Sequence, residues 1–256
     1  MKVIILGSGT SFGIPQIGCH CEVCTSKDPK DRRTRVAALV EGDSGNRILI
    51  DTPPELRLQL VSAGIDTVDA VLYTHEHADH IQGIDDLRAV SVRFGRLPVY
   101  GARDMLERLQ QRFDYIFDGA PSTPEVPRPE LTTVPLDPER DVMVAGLPVK
   151  PIELEHGPTK VYGYRIADLG YITDAKAVPE RAIRLLRGVR VLVLSALFEQ
   201  PHPSHLSIPE AIAVARAVGA ERTLLTHLTH RTGHAALAAR LPAGVEPAYD
   251  GLRIEF

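Results

Sequence analysis

The sequence contains no tryptophan, and aromatic side chains make up only 5% of its 256 residues. A chain this poor in large rings has little with which to build a base-stacking platform for single-stranded nucleic acid. It lacks a basic excess as well. Its 29 Lys and Arg face 33 Asp and Glu, a net charge of −4, whereas nonspecific nucleic-acid binders carry positive charge in excess. Only a local basic patch stays open to that class. No apolar run approaches the roughly 18 residues of a membrane helix. The opening segment MKVIILGSGTSFG has one Lys and a short apolar run ending in a Gly/Ser turn, without a signal-peptide core and cleavage site, and reads as a first strand. Cysteine is scarce too. All three lie between Cys19 and Cys24, which is no secreted disulfide framework. A cytoplasmic protein without membrane contact is expected.

What remains is an ordinary globular balance, 44% hydrophobic and 24% charged, long enough to bury a core without disulfides. One domain over residues 1–256 is expected. Short β-branched runs bounded by Gly, Pro, Asp and Asn predict strands at Lys2–Leu6, Val36–Val40, Arg47–Ile50, Ala70–Tyr73, Pro98–Tyr100, Val149–Leu154, Val161–Ile166, Tyr171–Thr173, Val189–Leu194, Thr223–Leu225 and Leu252–Glu255. Helices are predicted at Pro54–Ala63, Asp104–Phe113, Pro179–Leu186, Ile208–Val218 and Ala235–Leu241. The helix after Ser207 has the clearest start, with Ser207 as N-cap and Pro209 and Glu210 in the first turn. Hairpin-like strand pairs mixed with helices point to mixed sheets covered by helices. No internal repeat is evident. The six prolines of Gly119–Pro138 read as a rigid surface excursion, either a lid or contact arm or an inert loop.

The strongest chemical signal is Thr74-His75-Glu76-His77-Ala78-Asp79-His80, directly after the apolar run AVLY. Three imidazoles and a carboxylate crowded into six residues repel one another when protonated and compete for partners. A divalent cation resolves the crowding, because neutral His and carboxylate suit Zn, Mn or Fe. Three more potential ligands follow β runs: His156 after VKPIELE, Asp174 after YIT and His227 after TLLT.

The segment THEHADH resembles the metal signature of the metallo-β-lactamase superfamily. The resemblance implies an αββα sandwich of two mixed sheets flanked by helices, and a binuclear site. His75, His77 and His156 would hold one metal, Asp79, His80 and His227 the second, and Asp174 would bridge them. Two metals about 3.5–4 Å apart can share a hydroxide and clamp the attacking and leaving oxygens. Asp51, in RILIDTPPE, matches an acidic position of the superfamily and is expected behind the ligands, orienting a His; a helix N-cap is its other reading.

Two further motifs narrow the branch. In His202-Pro203-Ser204-His205-Leu206-Ser207, His205 matches a His of the superfamily's phosphodiesterases, where it faces the substrate phosphate and can protonate the leaving group. Catalysis is thereby assigned to His205 with Asp79 and Asp174. His202 is expected to have no such role. Cys19-x-Cys21-x2-Cys24 offers three thiolates where a closed zinc site wants four ligands. His230 is the expected fourth, with His20 and His234 as the other candidates. Together with DRRTR and EPAYDGLRIEF these motifs resemble the PhnP-like branch of cyclic phosphodiesterases. The implied activity is metal-dependent hydrolysis of a small, cyclic phosphate ester similar to phosphoribosyl 1,2-cyclic phosphate, by attack of a metal-bound hydroxide. Two catalytic divalent metals and one structural Zn are implied, with a small-molecule partner rather than nucleic acid; a homodimer is the one assembly considered, and the sequence leaves the oligomeric state open. The alternatives are a tRNA 3′-processing endonuclease and a PqqB-like cofactor-biosynthesis accessory protein. Arg32, Arg33 and Arg35 read as a solvated basic turn or as phosphate contacts, Gly7–Ser11 as a tight turn or an anion nest. Tyr249 and Asp250 have no assigned role.

Overall fold

Val3 and Ile5 bury one face of the first strand, β1 (Lys2–Gly7), while Ile4 and Leu6 bury the other. A strand covered on both faces needs a continuous apolar run, as KVIILG supplies. The computed structural model describes all residues, Met1–Phe256. β1 lies in a seven-stranded sheet with β2 (Ala37–Glu41), β3 (Arg47–Ile50), β4 (Ala70–Leu72), β5 (Leu97–Ala102), β6 (Leu131–Leu136) and β14 (Arg253–Glu255), in the order β14-β1-β2-β3-β4-β5-β6. A second seven-stranded sheet runs β13-β12-β11-β10-β9-β8-β7, from β7 (Val142–Val144), β8 (Leu147–His156), β9 (Thr159–Ile166), β10 (Leu169–Ile172), β11 (Val191–Ser195), β12 (Arg222–Thr226) and β13 (Val245–Pro247).

The sheets face each other across an apolar layer that includes Val3, Ile5, Ile48, Leu72, Tyr164, Val193 and Leu224. The outer face of the first sheet packs on α1 (Leu56–Ala63), α2 (Ala78–Ile81), α3 (Arg88–Phe94) and α4 (Arg103–Arg112), with α5 (Asp114–Phe117) beside them. The outer face of the second packs on α6 (Glu180–Leu186), α7 (Ile208–Val218) and α8 (His234–Ala238). The order is helix, sheet, sheet, helix, with both sheets mixed, as expected. No helix is long and apolar enough to cross a membrane.

A regularity invisible in the sequence relates the two halves. From β14 to β6 the pairings run antiparallel three times, then parallel three times. From β7 to β13 the same succession recurs. Asp51 follows the last antiparallel strand of one sheet and Asp174 that of the other, each with positive φ (64° and 53°).

Every strand and helix expected from the sequence is present within a few residues. Three strands and three helices escaped it. The strands β6, β7 and β13 are all sheet edges, where a short or proline-containing segment is tolerated because one side of the ladder is unpaired. Part of the expected proline-rich excursion is therefore β6, with Pro135 in register opposite Gly101; residues 119–130 remain irregular. The unread helices α2, α3 and α5 span 4, 7 and 4 residues, too short to show a period. At α7 the expected N-cap is a full capping box: Ser207 accepts from the Glu210 amide, and the Glu210 carboxylate accepts from the Ser207 amide.

Candidate metal centre

The strand ends of both sheets deliver the His and Asp side chains to one place. β4 leads into His75–His80, β8 ends on His156, β10 precedes Asp174 and β12 precedes His227. Asp51, Asp174 and His227 are three of only five non-glycine residues with positive φ, a costly conformation that L residues keep where the surroundings hold them. Here it turns each side chain back over the end of its strand.

Two donor groups result. His75, His77, His156 and Asp174 offer ligand atoms all within 4.8 Å of one another, and so do Asp79, His80, Asp174 and His227. Asp174 belongs to both. One oxygen, Oδ2, stands 3.4 Å from His75 Nε2 and 3.2 Å from His80 Nε2, while Oδ1 stands 3.1 Å from His227 Nε2. The His75 and His77 rings approach with Nε2 and Nδ1 3.0 Å apart. His80 Nε2 and both ring nitrogens of His227 are buried without a hydrogen-bond partner. Orphaned, converging nitrogens around a shared carboxylate fit divalent cations and are costly otherwise.

The groups behind the donors fix which nitrogen faces inward. Asp51 accepts from the Thr74 amide and hydroxyl and lies 2.8 Å from His80 Nδ1, which leaves Nε2 for the centre. His156 Nδ1 donates to the Ser204 carbonyl at 2.8 Å. Asp51 is therefore not a helix cap; α1 begins after Glu55. Burial raises the Asp51 carboxyl above its usual range. Burial disfavours the charged form of His80, but Asp174 and Asp51 outweigh it and raise its pKa. Two carboxylates thus demand positive charge at this imidazole, which a cation would also supply.

His205 belongs to neither donor group. Its ring stacks on His227 at 5.0 Å and meets His156 edge-on at 4.7 Å. His202, expected to have no role, stands 5.1 Å from His205 and shares with it the wall of a cavity of about 340 Å³. Thr10, Phe12, Phe198 and Arg231 line the rest of that wall with their neighbours. Burial lowers the His205 pKa to about 3, so the free imidazole is neutral.

A third cluster lies beside this cavity. The sulfurs of Cys19, Cys21 and Cys24 stand 3.2, 3.5 and 3.4 Å from His230 Nδ1. One nitrogen cannot serve three thiols, whereas three thiolates and one imidazole make a closed zinc set. Of the three candidate imidazoles, His20 is exposed and His234 packs against Tyr249 at 5.4 Å; only His230 reaches the thiols. The Cys24 amide lowers the Cys21 pKa to about 6, and burial raises that of Cys24 to about 11.

Arg33 corrects the reading of a solvated basic turn. It is 1% exposed and donates to the carbonyls of Thr229 (2.6 Å) and Thr232 (3.2 Å), with Asp31 at 3.3 Å. Arg35 pairs with Glu55, and only Arg32 is exposed. Asp250 accepts from the amides and hydroxyls of Ser8 and Thr34 at 2.6–2.9 Å, and the Ser8 carbonyl in turn accepts from the Leu228 amide beside His227. Gly7 and Gly9 run so close to residues 33–35 that a Cβ would stand 2.0 Å from the Arg35 carbonyl and 2.6 Å from that of Arg33. The Gly-rich segment is a packing device.

Residues 46–228 match the family model of the beta-lactamase superfamily domain. A 39% identical relative named octanoyltransferase, from Porphyromonas gingivalis, aligns over 98% of this chain and 51% of its own length. A 31% identical PQQ synthesis protein B from Methylobacterium radiotolerans aligns over 46% of this chain and 44% of its own. The chain thus spans about half the length of the curated relatives it matches. Among solved structures, a diphosphatase of the PhnP family is 37% identical, with TM-score 0.91 over 100% of this chain and 97% of that one. The short form of human tRNase Z is 18% identical, with TM-score 0.71 over 100% of this chain and 99% of that one, a likeness of fold. By the family model over residues 46–228 and the 37% identity to the PhnP-family structure along the full chain, the chain belongs to the beta-lactamase superfamily, in its PhnP-like branch.

Proposed function

We propose that the chain is a binuclear metal-dependent phosphodiesterase acting on a small, cyclic phosphate ester in a reducing, cytoplasmic setting. The observation that carries this reading is Asp174 shared between two donor groups, with His205 beside both and part of neither. His75, His77 and His156 would hold one cation, Asp79, His80 and His227 the other, with Asp174 between, and Zn, Mn and Fe all suit these donors. Bound at these donors, two divalent cations would supply Lewis acidity that lowers the pKa of water and offsets charge on phosphoryl oxygens. Cys19, Cys21, Cys24 and His230 would hold a structural Zn.

The chain's own residues supply the rest. Asp51 and the Ser204 carbonyl keep the His80 and His156 rings turned inward. His205 stands where a phosphoryl group in the cavity would meet it. It is neutral when the cavity holds no anion, and an adjacent phosphoryl anion acts against the burial that lowers its pKa. A proton taken up from solvent as the substrate anion binds would make the ring an imidazolium able to pass it to the departing oxygen. A cavity of about 340 Å³ suits a small molecule. The irregular 119–130 segment has one basic residue, Arg128, already paired with Asp118, which does not favour a tRNA arm. The neighbour at 37% identity is named a diphosphatase of the PhnP family, and hydrolysis of a diphosphate would also be attack on phosphorus, with a different leaving group.

A turnover screen tests the reading. Metal-loaded protein would be offered five-membered cyclic phosphodiesters, linear diesters, dinucleotide diphosphates and a precursor tRNA. Faster turnover of the cyclic esters is expected. Turnover of diphosphates alone, or of the tRNA alone, would replace the proposed substrate class.

A further inference from the structure

Ser204 holds two imidazoles at once. Its carbonyl accepts from Nδ1 of His156, a member of the donor group around His75. Its amide and its hydroxyl meet Nδ1 of His202 at 3.3 and 3.2 Å. A backbone N–H can only donate, so Nδ1 of His202 is an acceptor and carries no proton. A flipped ring would set carbon against the amide and lose both bonds, so the same contacts fix the ring's orientation. In the neutral imidazole the other nitrogen then holds the hydrogen. Nε2 of His202 is a fixed N–H donor.

That donor has no partner in the protein. The hydrogen bonds of the His202 ring are the two at Nδ1, and Nε2 is not an enclosed orphan. The ring is half-buried in the wall of the cavity, 5.1 Å from His205 between centroids. Phe198 meets it edge-on at 5.8 Å. None of the 14 residues lining the cavity is Asp or Glu, so no carboxylate of the wall can take this hydrogen. His205 in turn touches His156 and His227, and one ring therefore separates His202 from both donor groups. The two neighbours differ in kind. Nδ1 of His205 is buried without a partner, so nothing in the protein fixes which of its nitrogens carries the proton. His205 is built to exchange a proton and His202 to keep one.

We infer that His202 contacts the substrate: its Nε2–H donates to a non-bridging oxygen of the phosphoryl group that His205 meets. This rests on the phosphodiesterase reading above. A donor oriented before the substrate arrives needs no reorganisation as charge grows on that oxygen. Ser204 ties this donor to the cation site of His156, because one peptide unit on each side of its Cα holds each ring.

Two variants separate the two nitrogens of the ring. Asn sets its amide oxygen near the Nδ1 position and can keep the Ser204 contacts, with nothing at Nε2. Gln sets an amide N–H near the Nε2 position. In metal-loaded protein, His202→Asn should keep the metal content and lose about 10- to 100-fold in kcat/KM for p-nitrophenyl methyl phosphate, the scale of a hydrogen bond to a charged group. The phenolate leaves without a proton, so this loss is not that of His205. His202→Gln should recover part of it. The two stereoisomers of the corresponding phosphorothioate each carry sulfur, a weak acceptor, at one non-bridging position. The loss in His202→Asn should nearly vanish for one isomer and persist for the other. No loss, or an equal loss on the oxygen ester and both sulfur esters, overturns the contact. Nitrogen NMR of the histidines in zinc-loaded protein at mildly alkaline pH should find the His202 proton on Nε2; a proton on Nδ1 overturns the inference by itself. If the wild type hydrolyses none of the esters, the phosphodiesterase reading falls instead. Calorimetry with inorganic phosphate then reads the donor. Binding about tenfold weaker in His202→Asn supports it, and equal binding, or none by either protein, overturns it.

Discussion

Asp51 Oδ2 and His80 Nδ1 lie 2.8 Å apart, both side chains fully buried, one at the end of β3 and the other in α2. The contact crosses 29 positions of sequence and leaves His80 a single free nitrogen, aimed at Asp174. Such an outer partner fixes the ring and raises its basicity toward a cation.

Asp51→Asn should therefore weaken the second cation site, formed by Asp79, His80, Asp174 and His227, by about 10- to 100-fold. The fold should survive, since Asn fills the same volume. Metal titration followed by mass spectrometry checks it; unchanged affinity at both sites would show that Asp51 serves the fold alone.

Asp174 is the only residue common to both donor groups. Asp174→Ala should lower the stoichiometry of metal held at the His and Asp centre below two and abolish turnover. The cysteine cluster shares no residue with the centre and should keep its zinc. Element analysis of dialysed protein separates the two losses.

His205→Ala should keep the metal content of the wild type and lose roughly 10²–10⁴ in kcat, the usual size for proton donation to a leaving group. The loss should shrink for p-nitrophenyl esters, whose phenolate leaves without a proton, and be full for alkyl or ribosyl leaving groups. Equal losses on both would leave His205 a binding residue.

The cysteine cluster should titrate unevenly in metal-free protein. Cys21 has a pKa lowered to about 6, while Cys24 is raised to about 11. Only a thiolate is alkylated at an appreciable rate, so iodoacetamide labelling of Cys21 should climb as pH rises through about 6 and then level off. Cys24 should stay unmodified until far higher pH, and zinc should block both. Peptide mass spectrometry after brief exposure reads the order. In the zinc-loaded protein, Cys21→Ser should lower both zinc content and thermal midpoint.

Arg33→Met should destabilise the fold by about 3–5 kcal/mol, the scale of breaking a buried ion pair by removing one partner. It leaves Asp31 and two loop carbonyls without their donor. Urea unfolding of wild type and variant measures it, and a change under about 1 kcal/mol, the usual surface-charge scale, would count against the clamp.

Local chemistry was legible because it is local. The spacing from His75 to His80 puts four metal-type donors after one apolar run, and Ser207 three positions before Glu210 writes a capping box into four consecutive residues. Apolar runs such as Val3–Leu6 revealed their strands because burial on both faces removes polar residues from the sequence itself. The edge strands were hidden for the converse reason: Leu131–Leu136 is half solvated and contains Pro135, so its burial leaves no clear pattern. Which side chains meet was decided by the packing of the two sheets. Asp51 reaches His80, His230 reaches thiols 206–211 positions away, and Arg33 turns inward to carbonyls 196 and 199 positions on. Nothing in the spacing of residues 31–35 distinguishes the buried arginine from its exposed neighbour, because alternation along an extended segment acquires an inside only when the loop of residues 229–232 closes over it. The sequence alone named the donors; the tertiary structure chose their partners, since contacts this distant exist only after both sheets have formed and faced each other.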